Sequence, residues 1–506
     1  MDLTLSVVVS SLLLLFILAV VIISYKSRVT SPPGPWGLPL IGHLHLLARM
    51  PLHRALQSMS QKHGPIVSLS LGMRPAILIS APALARELFT SQDVNFPSKP
   101  YTSVSEHIDY NFRSIGTAPY GEYYSSIRKL CLTELFTARN IDSFSWIRRE
   151  ELSHLLSAIL SRASHGQALD LRKTLSVFSF NSITGALMSK RYLSHEHTGA
   201  ASSKEAMEFK NWLIEVLQRV MEPCLSNFVP WYLRWLDWKT PGLRRLHAKV
   251  DKFLQMVVEE HKKSTREQKD FLDILLKAFG EEEAYAKANL LVRDLMVAGT
   301  ETSVTGTEWL MAAVIQEPRI LKKAQQELHD AVGNRRMVQE SDLSKLGYLD
   351  AIIKESLRRY PIVPIYIREC QGQASKLGGY DVPKGTIVIV NSWALGMDPV
   401  VWENPTQFLP ERFLARSIDI KGQDFELLPF GSGRRRCPGM PLGLRTMKLL
   451  VANLIHGFDW SVEPGKIQSM EDCFKSTCIM KHPLQLVVTP RLPKDAYTTQ
   501  IHDFFI

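Results

Sequence analysis

Ten residues, Phe430-Gly431-Ser432-Gly433-Arg434-Arg435-Arg436-Cys437-Pro438-Gly439, constrain this chain more than any other stretch. A buried cysteine is ordinarily a small, inert apolar filler. Cys437 instead stands in a frame of phenylalanine, glycines and arginines that a filler does not need. Arg435 and Arg436 are placed to favour an ionised sulfur. Gly433 and Gly439 allow the backbone to approach something flat and large, and Phe430 can shield one side of the sulfur from water. Pro438 has no N–H to give, so Gly439 and Met440 are the nearer donors to a thiolate. Whatever the rest of the chain folds into must hold this thiol against a bulky partner.

The chain has 506 residues, enough for one very large domain or two to three ordinary ones. With 45% hydrophobic and 22% charged residues it is globular rather than disordered. Cys131, Cys224, Cys370, Cys437, Cys473 and Cys478 are scattered without a CxxC pair. That spacing argues against a zinc site or a disulfide framework, and free thiols match a reducing compartment. The net charge of +10 is dispersed, with no basic stripe interleaved with aromatics, which argues against nucleic acid as a partner. The charge suits solubility, or attraction to an acidic protein or an anionic membrane face.

Leu3 to Ile23 is apolar apart from Thr4, Ser6, Ser10 and Ser11. About 20 such residues cross a bilayer as a helix. Only Asp2 precedes the run, and Lys26 and Arg28 follow it, which places the bulk of the chain in the cytosol. A cleaved signal peptide is the alternative, but its basic n-region and its small-x-small cleavage site are both missing. The expectation is a retained signal anchor over 1–25. A basic, proline-rich hinge over 26–42 follows, stiffened by Ser31-Pro32-Pro33-Gly34-Pro35. The body is 43–506. Apolar periodicity predicts helices over Glu150 to Arg162, Glu205 to Met221, Leu243 to His261, Asp270 to Phe279 and Asn289 to Ile315. Alternation predicts a hairpin over Pro65 to Ser80 around Gly72, and strands over Thr386 to Asn391 and Leu484 to Val488. Lys263 to Lys269 and Gly280 to Glu283 read as charged surface connections. The predicted class is mainly α with one small peripheral β-sheet.

Two further constellations stand out. Glu355-Ser356-Leu357-Arg358 sets an acid and a base on one helix face, ordinarily an exposed pair of little consequence. Pro410-Glu411-Arg412-Phe413 follows it, and the Cys437 loop comes next. Ala298-Gly299-Thr300-Glu301-Thr302 lies inside a helical run. A mid-helix glycine costs about 1 kcal/mol against alanine, and threonines compete for backbone hydrogen bonds. Such a poor local choice points to a functional distortion. The plainer reading is a surface acid beside a helix-bending threonine.

In this order, and with every fixed position of Phe-x-x-Gly-x-Arg-x-Cys-x-Gly present, the sequence resembles the cytochrome P-450 family from hinge to final strand. The resemblance implies that family's fold, with an N-terminal transmembrane helix and a haem b cofactor. It implies that Cys437 is the axial ligand of the haem iron, a thiolate that favours O–O cleavage. Phe430, Gly433, Gly439, Ala298 and Gly299 would lie against the haem. Glu355, Arg358 and Arg412 would form a buried structural triad, and Glu301 and Thr302 an acid–hydroxyl pair that relays protons. Arg128, Tyr124, Arg368 and Arg435 would meet the haem propionates. The family usually has Trp-Arg-x-x-Arg where this chain has Tyr124, Ser125 and Arg128, so one cation is lost and a phenol stands for an indole. Substrate contacts would come from His107, Tyr110 and Phe112 in the loop Tyr101 to Pro119, from Ile362, Val363, Ile365 and Tyr366, and from Thr477 and Cys478. For each of these, plain core packing is the competing reading.

The style of the hinge and of the Ala-Gly-Thr-Glu-Thr stretch resembles plant microsomal members of specialised metabolism. That implies a single-pass protein of the endoplasmic reticulum membrane, its catalytic body on the cytosolic face. It would use O2 and electrons from NADPH, delivered by a separate reductase, to hydroxylate a hydrophobic small molecule. No glycine-rich dinucleotide fingerprint follows a strand, which fits an external electron donor. A basic face around Arg128 and Arg434 would dock an acidic reductase. The polar, aromatic 101–119 loop favours ring hydroxylation of a phenylpropanoid or flavonoid, with terpenoids and alkaloids left open. A reductase-independent isomerase or dehydratase on the same fold is a second class, although such members often lose the acid–threonine pair present here. A non-catalytic haem-binding protein is a third, although nothing in the ligand loop looks degenerate. Trp231, Tyr232, Trp235 and Trp238 form an aromatic cluster suited to a bilayer interface or to a core.

Overall fold

A 36-residue helix, Glu281–Gln316, organises the molecule, and it packs against helices Leu171–Met188, Phe271–Phe279, Met440–Gly457 and Gly347–Arg359. Every residue from Ser303 to Val314 is buried, as expected of a helix surrounded on all sides. The computed structural model describes Ser11, residues 31–48, 51–194, 204–220, Glu222, and residues 224–263, 270–279, 281–373, 375–463 and 465–497.

Two large apolar clusters divide this helix between them. One gathers Val304, Trp309, Leu310 and Met311 with Leu349, Ile352, Leu450 and Leu454. The other gathers Leu291, Val292 and Met296 with Phe180, Leu187, Leu254 and Phe271. Residues 298–303 fall at the seam, where neither cluster closes over the helix.

The helices predicted from periodicity are present as Ser145–Ser164, Lys204–Val220, Thr240–Lys263, Phe271–Phe279 and Glu281–Gln316. The last begins eight residues before Asn289, so Glu281 to Glu283 open a helix instead of forming a surface connection. Acidic residue types at a helix N-terminus are favoured by its dipole. Of the other proposed connection, 264–269 lies outside the described residues, as do Gly280 and Met221.

The hairpin expected around Gly72 is Ile66–Leu71 with Arg74–Ile79, and Gly72 takes φ +61° at the turn. Its second strand pairs in parallel with Ile387–Asn391, with Ala76 opposite Ile387. Ile387–Asn391 then pairs antiparallel with Ile365–Glu369, with Arg368 opposite Val388. The strand expected over Leu484 to Val488 is Gln485–Pro490, between Phe458–Val462 and the short Leu169–Asp170. Two small hairpins complete the set, Ser375–Leu377 with Tyr380–Val382 and Asp472–Phe474 with Cys478–Met480. In place of the single peripheral sheet expected from the sequence, the described residues form four small sheets. The added strands have only two to five residues, too few for alternation to announce them.

Among the described residues no helix is long and apolar enough to cross a membrane. The apolar run Leu3 to Ile23 lies outside the described residues except for Ser11, and Lys26 and Arg28 lie outside them as well.

Candidate active site

Cys437 lies between a single 3-10 turn, Gly433–Arg435, and helix Met440–Gly457. Gly431 and Gly433 both take φ +69°, a conformation that suits glycine, and this turns the chain back on itself. The Cys437 N–H closes the loop on the carbonyl of Phe430 at 3.0 Å. A side chain at Gly433 would meet Asp93 Oδ1 at 2.8 Å, and Asp93 Oδ2 accepts the Arg434 N–H at 3.1 Å. Burial pushes the Cys437 thiol up, while backbone N–H groups of Gly439 and Met440 and the charges of Arg128 and Arg436 oppose that rise. The expectation for Gly439 and Met440 is met, but that for Arg435 is not. Arg435 turns away from the sulfur: its Nε donates to Pro97 O at 2.5 Å and its Nη2 to Ala118 O, with the guanidinium 4.3 Å over the Tyr124 ring. Arg128 takes its place, with Nη2 donating to Arg436 O at 2.8 Å. Tyr124 is buried, and its hydroxyl donates to Arg434 O at 3.2 Å, so the phenol braces the cysteine loop.

A cavity of ≈ 280 Å³ opens at the seam between the two apolar clusters. Phe430, Cys437 and Gly439 line it, as do Ala298, Gly299 and Thr302. Arg128, Arg435, Tyr124 and Lys99 also reach it. Lys99 is exposed by area, but what it faces is this cavity, and the surrounding protein pushes its ammonium down to about 8. Arg368 is 3% exposed and its Nε has no hydrogen-bond partner among the described residues. Burial, then the neighbouring Arg435, pushes its guanidinium down to about 10. Lys99, Arg368 and Arg435 thus crowd together, with Asp93 and Asp109 the acids nearby. Buried positive charge in excess of its partners is costly, and a dianionic ligand would offset it. A cysteine sulfur at one wall, an apolar slot and a cluster of under-paired cations fit haem and its two propionates. Lys99 was absent from the sequence reading because Pro97-Ser98-Lys99-Pro100 carries no local signature.

Thr302 lines the cavity, and its hydroxyl donates back to Ala298 O at 2.7 Å. Gly299 also lines it, and a side chain there would meet Ile183 Cδ1 at 2.7 Å, so any larger residue would have to displace the Ile183 tip. Ser179 donates to Gly299 O at 3.3 Å and to Thr300 O at 2.9 Å, in a stretch that is continuous α-helix without the distortion expected from its sequence. Glu301 does not line the cavity. Burial raises its carboxyl, and Arg172, Lys210 and Lys475 pull it the other way.

Glu355, Arg358 and Arg412 meet in one buried cluster. Arg358 Nε and Nη2 donate to the two oxygens of Glu355 at 2.7 and 2.8 Å, and Arg412 Nε donates to Glu355 Oε1 at 3.2 Å. Arg358 also donates to the carbonyls of Gly396 (2.5 Å), Pro405 (2.9 Å) and Gln407 (3.1 Å). The Glu355–Arg358 pair is fully buried, and the guanidiniums of Arg358 and Arg412 lie 5.4 and 5.9 Å from the Trp402 ring.

A family model described as Cytochrome P450 matches residues 32–489. The chain belongs to the cytochrome P450 family. A flavonoid 3'-monooxygenase from Crocosmia x crocosmiiflora is 35% identical over 482 residues, 92% of this P450 and 94% of that relative. A phenylacetaldehyde oxime monooxygenase from Prunus mume is 34% identical, covering 93% and 91%. Among solved structures, a zebrafish cytochrome P450 described with progesterone superposes with a TM-score of 0.75 at 26% identity, over 88% of this chain and all of that one. This P450 is a haem-dependent monooxygenase.

The predicted substrate residues are placed differently from expectation, since none of the nine lines the cavity. The hydroxyl of Tyr110 donates to Asp251, Phe112 packs 5.7 Å from Tyr101, and His107 lies 3.9 Å from Glu106. Ile362 and Val363 belong to the main apolar cluster and Ile365 to the sheet. Tyr366 donates to Leu428 O at 2.6 Å. Thr477 is buried, and Cys478 is buried with its carbonyl accepting from Trp309 at 2.7 Å. The wall is built instead by Ile115 and Gly116 from the expected loop, by Ile183 and Leu187, and by Asp294 and Leu295. Two residues of the 101–119 loop reach the cavity but the named ones do not, because long-range contacts such as Tyr110 to Asp251 decide which of its side chains turn inward. None of the six cysteines is paired in a disulfide.

Proposed function

We propose that this P450 hydroxylates an aromatic ring of a flavonoid or related phenylpropanoid, using O2 and electrons passed from NADPH by a separate reductase. The observation that carries this reading is the cavity itself, a largely apolar slot bounded by Cys437 and by Ala298 and Thr302. Flavonoid hydroxylases among the relatives, matching over nine-tenths of the chain, support the substrate class. Cys437 would be the axial ligand, and bound haem would supply a thiolate-ligated iron for O–O cleavage. Arg128, Arg368, Arg435 and Lys99 would hold the propionates. Thr302 would hand a proton to the haem side once its hydroxyl leaves Ala298 O, with Glu301 as the acid that resupplies it through solvent. The Glu355–Arg358–Arg412 triad would fix the segment that carries the Cys437 loop.

The location proposed is the endoplasmic reticulum membrane, with residues 1–25 as a single-pass anchor, 26–42 as the hinge and 43–506 as the cytosolic catalytic body. Support comes from exposed aromatics: Trp36, Trp231, Trp235 and Trp238 are 76, 77, 78 and 74% exposed. Trp and Tyr suit the lipid headgroup level. Arg434, half-exposed against Asp93, belongs to the basic face proposed for the reductase.

The test is a substrate-binding spectral screen of the full-length protein, followed by turnover with NADPH and a plant-type reductase. Flavonoids should shift the haem spectrum and yield products carrying one added ring oxygen. The Prunus relative favours a second reading, an aldoxime substrate. Turnover of an aryl aldoxime with no flavonoid response would replace the first reading by the second.

A further inference from the structure

The loop from Ile108 to Thr117 is pinned to the long helix by a buried ion cluster. Arg293 is 2% exposed. Its Nη2 donates to Asp109 Oδ1 at 3.0 Å and to Asp294 Oδ1 at 2.6 Å, and its Nη1 donates to the carbonyl of Ile108. Asp294 Oδ2 accepts the Ile115 N–H at 2.9 Å, and Asp109 Oδ2 accepts the Thr117 hydroxyl at 2.9 Å. One guanidinium and two carboxylates therefore fix the loop at residues 108, 109, 115 and 117.

Between those fixed points the backbone is strained. Tyr110, Asn111 and Phe112 take φ of +51°, +54° and +62° in succession. Asn tolerates this region, whereas Tyr and Phe do not favour it. Such a conformation persists only where its surroundings over-determine it. A second fastening reaches helix Thr240–Lys263. The Tyr110 hydroxyl donates to Asp251, its ring stands edge-on to His247 at 4.5 Å, and His247 Nδ1 donates to Ile108 O at 3.1 Å. Ile115 and Gly116, at the far end of the strained stretch, line the cavity beside Asp294 and Ala298. Asp294 has both oxygens engaged, so it acts on the cavity through the loop.

We propose that Arg293, Asp294 and Asp109 form a latch that holds the 108–117 loop in its strained form, and that the latch sets the size and shape of ligand the cavity admits. They are positioning residues, since none need touch the reacting atoms. The proposal rests on the reading that this cavity takes the substrate, but the exchange of the loop's own amides does not.

The test uses full-length, haem-loaded protein with Asp294→Ala and Asp294→Asn, the second keeping an acceptor for the Ile115 N–H. Hydrogen exchange over 108–117 should quicken roughly tenfold or more in Asp294→Ala, less in Asp294→Asn, and little elsewhere. Spectral titration should show the Kd of a bulky aryl imidazole changing roughly tenfold while that of imidazole stays within about twofold. If Asp294→Ala does not take up haem, Thr117→Val removes one hydroxyl contact and is read in the same way. Unaltered loop exchange, or equal shifts for both azoles, would overturn the latch. A loop that loosens without changing azole selection would overturn it too. Failure of every flavonoid to bind, with both azole results intact, would sink the substrate reading and leave the latch standing.

Discussion

The Cys437 loop and the 108–117 loop border the same cavity but are held in different ways. The first takes its turn from its own backbone and is then braced from outside by Asp93, Tyr124 and Arg128. Two left-handed glycines, a 3-10 turn and the Cys437 N–H to Phe430 carbonyl bond shape it within eight residues. The second has no glycine at its three left-handed positions and depends on Arg293, Asp294, His247 and Asp251 far along the chain. Chemistry that every turnover requires sits on the wall whose turn is set by its own left-handed glycines. Ligand choice sits on the wall that distant residues must hold in place.

That contrast predicts different consequences for substitutions on the two sides. On the cysteine side the largest effect should come from Arg358→Ala. It would remove the two-point partner of the buried Glu355 carboxylate, leaving Arg412 as its one guanidinium, and leave the carbonyls of Gly396, Pro405 and Gln407 without this donor. A cost of about 3–5 kcal/mol follows, read as lost haem retention and a lower melting temperature. A variant melting like the parent would show that the triad is not what supports the cysteine wall. Thr302→Ala should lower product formed per NADPH about 10²-fold while leaving melting unchanged. Parental product yield would remove Thr302 from the proton path. Gly433→Ala should cost about 1–3 kcal/mol, because φ is +69° and the new Cβ lies 2.8 Å from Asp93 Oδ1. The smallest effect belongs to the other wall. Tyr110→Phe removes one hydrogen bond, worth about 0.5–1.5 kcal/mol, and should alter bulky-azole binding more than it alters melting. The reverse ranking would erase the contrast between the walls.

The same contrast explains what the sequence made legible. Fixed local spacing identified Cys437, Glu355 and Arg358, because residues three or four apart on a helix, or within one tight loop, keep their relation in any context, whereas Arg412 was joined to them only by the family resemblance. Long apolar periodicity located the central helix, although its acidic opening at Glu281 read as surface. Lys99, Asp93 and Asp294 escaped notice. Their partners stand elsewhere in the chain: the Asp93–Arg434 contact, for example, spans 341 positions. Tyr110 and Phe112 were taken for substrate contacts because they are aromatic and lie in the right loop. Left-handed backbone at both residues carries their side chains to Asp251 and Tyr101 instead.

The most direct test of the account is the carbon monoxide difference spectrum of the reduced full-length protein beside that of Cys437→Ala. The parent should show the red-shifted Soret band of a thiolate-ligated haem, and Cys437→Ala should lose it. A thiolate-type band that survives in Cys437→Ala would mean another cysteine serves the iron, and the assignment of the cavity wall would fall with it.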